Sequence, residues 1–324
     1  MIVTIGAFDG FHRGHAELLA RARELARASG LDWGAVTFHP HPHTFLGEMG
    51  ATLFTLRERE LIRRVLEIPH VIILQFDHEL QGLSPETFWA RLRQTFDIDG
   101  VVMGRDLRFG RGRAGTADML AALCREDGLL ASVVDLLEHD GIRCSSTAAR
   151  RAILAGEAAR AADVLGHPWL LWGRVVHGDG RGRSIGFPTA NLALPEGKVR
   201  LANGVYAVAV LIDGQWRCGA LSMGDDPTFP SVRETRMEVF VLDFDGDIYD
   251  TDMLMLSLDR LRPMIRFPDA RALAEQIEQD VARCRRIYQR EMESRPSLFT
   301  TFASCLADME ATGPFSPKIW RLTK

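Results

Sequence analysis

Five cysteines in 324 residues, an odd number with no CxxC spacing, exclude a disulfide framework and a zinc cage. Cys124, Cys144, Cys218, Cys284 and Cys305 are scattered along the chain, a usage that fits a reduced, cytoplasmic compartment. Positive charge is not in excess either. Thirty-nine Lys and Arg against 43 Asp and Glu leave a formal net charge of −4, whereas a dedicated nucleic-acid binder carries a basic surplus. No apolar run reaches the length of a membrane span, and the first residues enter a strand-like segment with no basic region or cleavage site. Nothing in the composition suggests wholesale disorder, because 46% hydrophobic and 25% charged residues are ordinary for a globular protein. The length allows two domains, each able to bury its own core. These exclusions leave no nucleic-acid and no membrane partner expected, and the net charge says little about small ligands, because a local basic loop binds phosphate within an acidic protein as well.

The first half alternates strand and helix patterns. Ile2–Ile5, Ala35–Phe38, Val71–Gln75 and Val101–Met103 read as strands. Residues 16–28, 56–66 and 84–96 between them read as helices, the first with Leu18, Leu19, Ala22 and Leu25 on one face. Ser84-Pro85-Glu86-Thr87 opens the third with a capping pattern. This rhythm predicts an α/β domain with a parallel sheet covered by helices. From Trp172 onward the runs become short and β-rich: 174–177, 205–212, 215–222, 237–244 and 247–258. Asp213-Gly214 and Asp245-Gly246 are hairpin signals, and together these predict a small antiparallel barrel. A helix over about residues 269–290, with Leu273, Ile277, Val281, Cys284 and Tyr288 on one face, closes it. The expected domains are 1–165 and 166–290, and residues 291–324 form a tail without clear periodicity or an assigned role.

The most unusual chemistry directly follows the first strand pattern: Gly6-Ala7-Phe8-Asp9-Gly10-Phe11-His12-Arg13-Gly14-His15. A hydrophobic core does not need three glycines and two histidines in ten residues; a phosphorylated ligand does. Parallel sheets bind ligands beyond the carboxyl ends of their strands. Glycines let the backbone approach the ligand, and the amides that start the next helix attract an anion. His12 and His15, three apart in the first turn, are candidates to donate to phosphate oxygens and to stabilise charge as a phosphoryl bond breaks. The plainer reading is a tight turn whose histidines cap the helix or face water.

This stretch matches GxFDGxHxGH, and in it the chain resembles the bacterial bifunctional FAD synthetases, which join a riboflavin kinase to an FMN adenylyltransferase. HxGH alone marks the wider nucleotidyltransferase group; the preceding FDG narrows it. Thr37-Phe38-His39-Pro40-His41-Pro42 is similar to the family's second strand-end segment. Met103-Gly104-Arg105-Asp106-Leu107-Arg108-Phe109-Gly110 is similar to its G-x-[DN]-F-x-F-G loop, with Leu107 in place of the usual Phe. Ser145-Ser146-Thr147-Ala148-Ala149-Arg150 matches SSTxxR. The resemblance implies a Rossmann-like nucleotidyltransferase domain with Gly6, Phe8, Asp9 and Gly10 in the ATP loop and His12 and His15 as catalytic groups. Ser146, Thr147 and Arg150 would hold the triphosphate, and Asp106 would position the nucleotide or the flavin. Such chemistry needs no covalent nucleophile, because the FMN phosphate attacks the α-phosphorus while the protein and Mg²⁺ position and stabilise.

Two motifs compete for attention. Gly110-Arg111-Gly112-Arg113-Ala114-Gly115 spells GxGxxG, but it does not sit at the first strand-to-helix turn and arginines fill its gaps. His39, His41 and His43 alternate in an extended run, as metal ligands or as a strand end lining the nucleotide pocket.

In the second half, Gly182-Arg183-Ser184-Ile185-Gly186-Phe187-Pro188-Thr189-Ala190-Asn191-Leu192 resembles the GRxxGFPTANL segment of riboflavin kinases. Read without the resemblance, the glycine-rich run from Gly178 to Gly186 is able to wrap phosphates. Thr189 and Asn191, two apart in an extended segment, point the same way and offer the oxygen donors that Mg²⁺ shares with nucleotide phosphates. By resemblance, Gly178, Arg183, Gly186, Pro188 and Tyr206 (in Asn203-Gly204-Val205-Tyr206, similar to the family's GVY strand) bind the nucleotide co-substrate, and Glu238 accepts the proton of the riboflavin 5′-hydroxyl. Pro227-Thr228-Phe229 is similar to the family's PTF loop. The chain departs from the family at Asp226 (usually Arg), Phe240 (His), Asp250 (Gly) and Met264 (Glu). The expected function is riboflavin phosphorylation to FMN followed by adenylylation to FAD, with ATP as co-substrate and Mg²⁺. The departures leave open an adenylyltransferase with an impaired kinase module. A non-catalytic flavin- or nucleotide-responsive regulator is the reading opposed by intact HxGH, PTAN and Glu238.

Overall fold

The computed structural model describes residues 1–135, 138–139, 141–178, 186–224, 236–313 and 315–322. The chain packs as two compact units: Met1–Thr52, Ile62–Ser146 and the segment from Pro314 onward form the first, and Leu53–Leu61 with Thr147–Gly313 form the second. This packing does not follow the expected cut at 165/166. Residues 147–165 and a short piece of the first half side with the second unit, and the last segment returns to the first.

The first unit carries strands β1 (Ile2–Ile5), β2 (Trp33–His39), β3 (His70–Gln75), β4 (Gly100–Gly104) and β5 (Leu130–Val134). A late two-residue strand, β12 (Ile319–Trp320), also joins this sheet. The order is β12-β3-β2-β1-β4-β5, and every pairing is parallel. All four residues of β1 are buried, as a central strand covered on both faces requires. Helices α1 (Arg13–Ser29), α3 (Pro85–Thr95) and α4 (Ala117–Glu126) pack here, and α2 (Leu56–Val65) spans the division between units. Ser84 caps α3 as its pattern predicted, its side chain accepting from the Thr87 amide at 3.2 Å. From β1 the chain steps outward to β2 and β3, then returns to β1's other side with β4. That reversal is a topological switch point, where an open α/β sheet forms its ligand crevice.

In the second unit β6 (Leu170–Val176), β7 (Ala190–Leu192), β8 (Gly204–Ile212), β9 (Gln215–Gly224), β10 (Arg236–Val241) and β11 (Asp252–Arg262) close a barrel in the order β6-β7-β10-β9-β8-β11. All its pairings are antiparallel. Asp213 and Gly214 adopt φ of 49° and 72°, the left-handed pair that a type I′ hairpin between β8 and β9 demands. Asp245-Gly246 is different. β10 pairs with β7 and β9, β11 with β6 and β8, so the two strands flanking this dipeptide never meet. Closure of the barrel separates them, and the expected second hairpin is a wide connection.

Helices α5 (Ser146–Ala155) and α6 (Ala158–Leu165) lead into the barrel, and α7 (Ala270–Ser294) packs against β8, β9 and β11. The residues read as an unassigned tail form α8 (Pro296–Ala311), which buries Phe299, Phe302, Leu306 and Met309. Leu53–Leu61 is fastened to this unit by a buried ion pair. Lys198 Nζ lies 2.6 Å from Glu58 Oε2, with both side chains fully buried. Glu58 also accepts from the amides of Trp172 and Thr55, each at 2.8 Å, and Lys198 donates to the Leu53 carbonyl at 3.0 Å.

Candidate active sites

The glycine-histidine stretch occupies the crevice at the end of β1. Its loop is tied to β2, since the Gly6 amide donates to the Val36 carbonyl at 3.0 Å and Thr37 Oγ1 donates to the Ala7 carbonyl at 2.9 Å. Phe8 and Phe11 hold φ of 46° and 44°, left-handed values that cost a non-glycine residue and persist only where the surroundings enforce them. Here burial does so: both rings are in the core and stack at 5.6 Å. Phe8 was expected to touch the nucleotide. Its ring is fully buried and packs 4.7 Å from the His15 ring.

His12 caps α1. The His15 amide donates to His12 Nδ1 at 3.3 Å, and the two imidazoles stack with centroids 3.7 Å apart. An Nδ1 that accepts this bond leaves the proton of neutral His12 on Nε2, a donor suited to a phosphate oxygen. Gly14 has a steric reason: a Cβ there would stand 3.0 Å from the Cys144 carbonyl oxygen and 3.1 Å from His12 Nδ1. Asp9 is buried, and Gly10 follows it in the same loop. Across the switch point, Asp106 follows β4 and pairs with Arg143. Ser146 begins α5 at the edge of the first unit, whereas Thr147 and Arg150 pack with the second.

The second unit holds a cavity of about 670 Å³, lined among others by His177, Pro188, Thr189, Phe244 and Tyr249, a volume in the usual range for small-molecule sites. His177 and Tyr249 stack at 4.0 Å with planes 20° apart. Asn191 on β7 lies directly across the ladder from Glu238 on β10, and Glu238 lies across from Ser222 on β9, so three polar side chains form a row over neighbouring strands. Gly178 runs so close that a Cβ would stand 2.0 Å from Asn191 Nδ2. Gly186 has φ 86°, which favours glycine. Arg183, Asp226 and the Pro227-Thr228-Phe229 segment lie outside the described residues.

Tyr206 lies on β8. It is fully buried, and its hydroxyl donates to the Ala202 carbonyl at 2.6 Å. Burial pushes its pKa up against an opposing effect of Arg260, and it does not line the cavity. Sequence reasoning gave Ser222 no role and Thr37 no tie to the loop; each is a small polar position whose use depends on a neighbour far along the chain. Among the described residues no cluster of three or more His, Cys, Asp or Glu side chains could hold a metal, which includes the alternating histidines. His41 caps the short helix Pro42–Phe45, and His43 Nδ1 lies 2.6 Å from Glu48.

These two constellations have counterparts. The description FAD synthetase matches residues 1–148, and riboflavin kinase matches residues 165–288. A bifunctional riboflavin kinase/FMN adenylyltransferase of Pseudomonas fluorescens is 36% identical over 286 residues, covering 88% of this chain and 92% of the relative. The chain belongs to the bifunctional riboflavin kinase/FMN adenylyltransferases. The enzyme of that name from Escherichia coli K12 is 34% identical over 291 residues, covering 89% of this chain and 92% of its own length. A crystal structure from Streptococcus pneumoniae described as a macrolide-efflux protein is 33% identical with a TM-score of 0.80, covering 88% of this chain and 93% of that one. Its fold is what carries over; no helix among the described residues is long and apolar enough to cross a membrane. The bifunctional enzyme makes FMN from riboflavin and ATP, then FAD from FMN and ATP. Two of its departures from the family have a local account. Asp250 sits at φ 57°, a left-handed position that glycine favours and Asp tolerates. Phe240 packs edge-on against Phe187 at 5.4 Å.

Proposed function

We propose that the two reactions are divided between the two units. In the first, a phosphate oxygen of FMN attacks the α-phosphorus of ATP and pyrophosphate leaves. His12 donates from Nε2 to the phosphates, and His15, held between His12 and Phe8, does the same from the first turn of α1. The α1 amides and the loop Gly6–Gly10 receive the triphosphate, with Ser146 and Asp106 of the same unit assisting. The observation that carries this reading is the His12–His15 stack, with His12 capping α1, at the switch point of the sheet.

In the second unit the riboflavin 5′-oxygen attacks the γ-phosphorus while Glu238 accepts the hydroxyl proton, and ADP leaves. Gly178, Arg183, Gly186 and Pro188 receive the nucleotide. The oxygens of Thr189 and Asn191 fit Mg²⁺, a hard cation that takes few protein ligands and completes its shell with phosphates and water. When bound, it neutralises charge on the transferring phosphoryl group. Scattered cysteines, odd in number and without CxxC spacing, support a cytoplasmic setting.

The metal assignment is tested by titrating Mg²⁺ in the full chain. Thr189→Ala and Asn191→Ala raise the concentration needed for half-maximal riboflavin phosphorylation by about tenfold or more and leave the Mg²⁺ dependence of FAD formation unchanged. An unaltered titration in both variants removes these two side chains from the metal site.

A further inference from the structure

The segment after α8 lies outside both matched family models, which end at residues 148 and 288. It is nevertheless built into the first unit. β12 runs parallel to β3, Ile319 beside Ile73 and Trp320 beside Leu74. Leu322 enters the main apolar cluster of this unit, only 5% exposed. Its carbonyl accepts from Arg91 Nη1 at 2.9 Å, and Arg91 also pairs with Glu79 at 2.7 Å. Trp320 meets Phe96 edge-on at 5.2 Å beneath the Lys318 ammonium, and Arg321 Nε donates to Gln75 Oε1 at 2.7 Å. Main-chain pairing supplies adhesion, and the apolar and carbonyl contacts supply register.

This docking leads by an unbroken series of contacts to the phosphate loop. Gln75 lies opposite His39 in the β2–β3 pair. The Phe76 amide donates to the His39 carbonyl at 2.9 Å, and the Phe76 ring packs edge-on against Phe38 at 5.9 Å. The adjoining Thr37 holds the Ala7 carbonyl, in the loop that continues to His12.

We propose that the β3 edge, with the Leu322 slot and Arg91, is a strand-docking surface whose occupant is this chain's own 318–322 segment, and that docking holds the Gly6–His15 loop in its working geometry. The proposal rests on assigning adenylyl transfer to the first unit. In that role Arg321 and Leu322 are positioning residues, acting through β3 and β2.

In the full chain, Leu322→Asp puts a carboxylate into an apolar slot and expels the strand. FAD formation from FMN then falls about tenfold or more while FMN formation from riboflavin stays within about twofold. Amides of His70–Gln75 lose hydrogen-exchange protection, and a synthetic peptide of residues 315–322 restores FAD formation in trans. Arg321→Ala keeps the slot filled, so the melting temperature holds while kcat for FAD formation drops roughly threefold, and Arg321→Lys recovers part of it. Undiminished FAD formation with an expelled strand overturns the coupling. Unchanged exchange at residues 70–75 overturns the docking, and loss of both activities overturns its confinement to the first unit. His15→Ala run in parallel separates the two failures: if that variant still makes FAD, the assignment of adenylyl transfer has failed and the docking surface has not been refuted.

Discussion

Replacing Gly178 with alanine tests the kinase site at one atom. The added Cβ would stand 2.0 Å from Asn191 Nδ2 and 2.5 Å from Asn191 Cγ, where unstrained heavy atoms keep about 3.5 Å. Gly178 is not among the left-handed glycines, so alanine takes up the backbone without strain and the whole conflict falls on the Asn191 amide. Rotation of that side chain about its own bonds is the response that relieves the conflict, with an expected loss of stability of about 1 kcal/mol. It must, however, retreat by more than about 1 Å from the row it forms with Glu238, and a displacement of that size costs on the order of a hundredfold in rate. That factor corresponds to about 2.7 kcal/mol of transition-state stabilisation. The assay is FMN formation from riboflavin under single-turnover conditions, with FAD formation from FMN as the control. The expected result is a hundredfold loss, on the order given above, in the first and an unchanged second. Kinase activity within about twofold of the parent would refute the argument that the Asn191 position governs the step.

Lys198→Met strands the Glu58 carboxylate in the core and should cost about 3–5 kcal/mol in urea unfolding followed by tryptophan fluorescence. Adding Glu58→Gln should recover only part of it: the buried charge is gone, but the two carboxylate oxygens each accept a backbone amide, Oε1 from Trp172 and Oε2 from Thr55, so the new NH2 meets a donor; a loss under about 1 kcal/mol for the single variant contradicts the account. Burial pushes the Cys218 thiol up to about 12 and the Cys124 thiol up to about 11, and raises Cys284 as well. These thiols therefore remain protonated at pH 8, below their raised pKa values, and a thiol-specific reagent should modify Cys305 first with both activities retained. Rapid labelling of Cys218 in the native protein would contradict that.

Much of this was legible in the chain. β1, the glycine-histidine loop and α1 follow from local pattern, and α1 starts at Arg13 rather than Ala16 because His12 caps it. The barrel and its closing helix also follow, as does the I′ turn at Asp213-Gly214. Long-range packing accounts for what was missed. Glu58 looks like a surface charge in a helix pattern until Lys198, 140 residues on, meets it. Asp245-Gly246 has hairpin chemistry, but a hairpin needs adjacent strands, and barrel closure separates these. Phe299, Phe302, Leu306 and Met309 do form a helical stripe that could have been read, whereas a two-residue strand such as β12 has no period to read. Phe8 and Tyr206 stand in motif positions that suggest ligand contact, whereas their full burial comes from packing that the motifs do not show.

The division of labour is tested most directly by mixing two full-length variants. His15→Ala alone should convert riboflavin to FMN and stop, and Glu238→Gln alone should make FAD from FMN but nothing from riboflavin. Mixed in equal amounts with riboflavin, ATP and Mg²⁺, the two should produce FAD, because FMN released by one chain is taken up by the other. FAD from riboflavin in either variant alone, or loss of both activities in one folded variant, would contradict the division of labour.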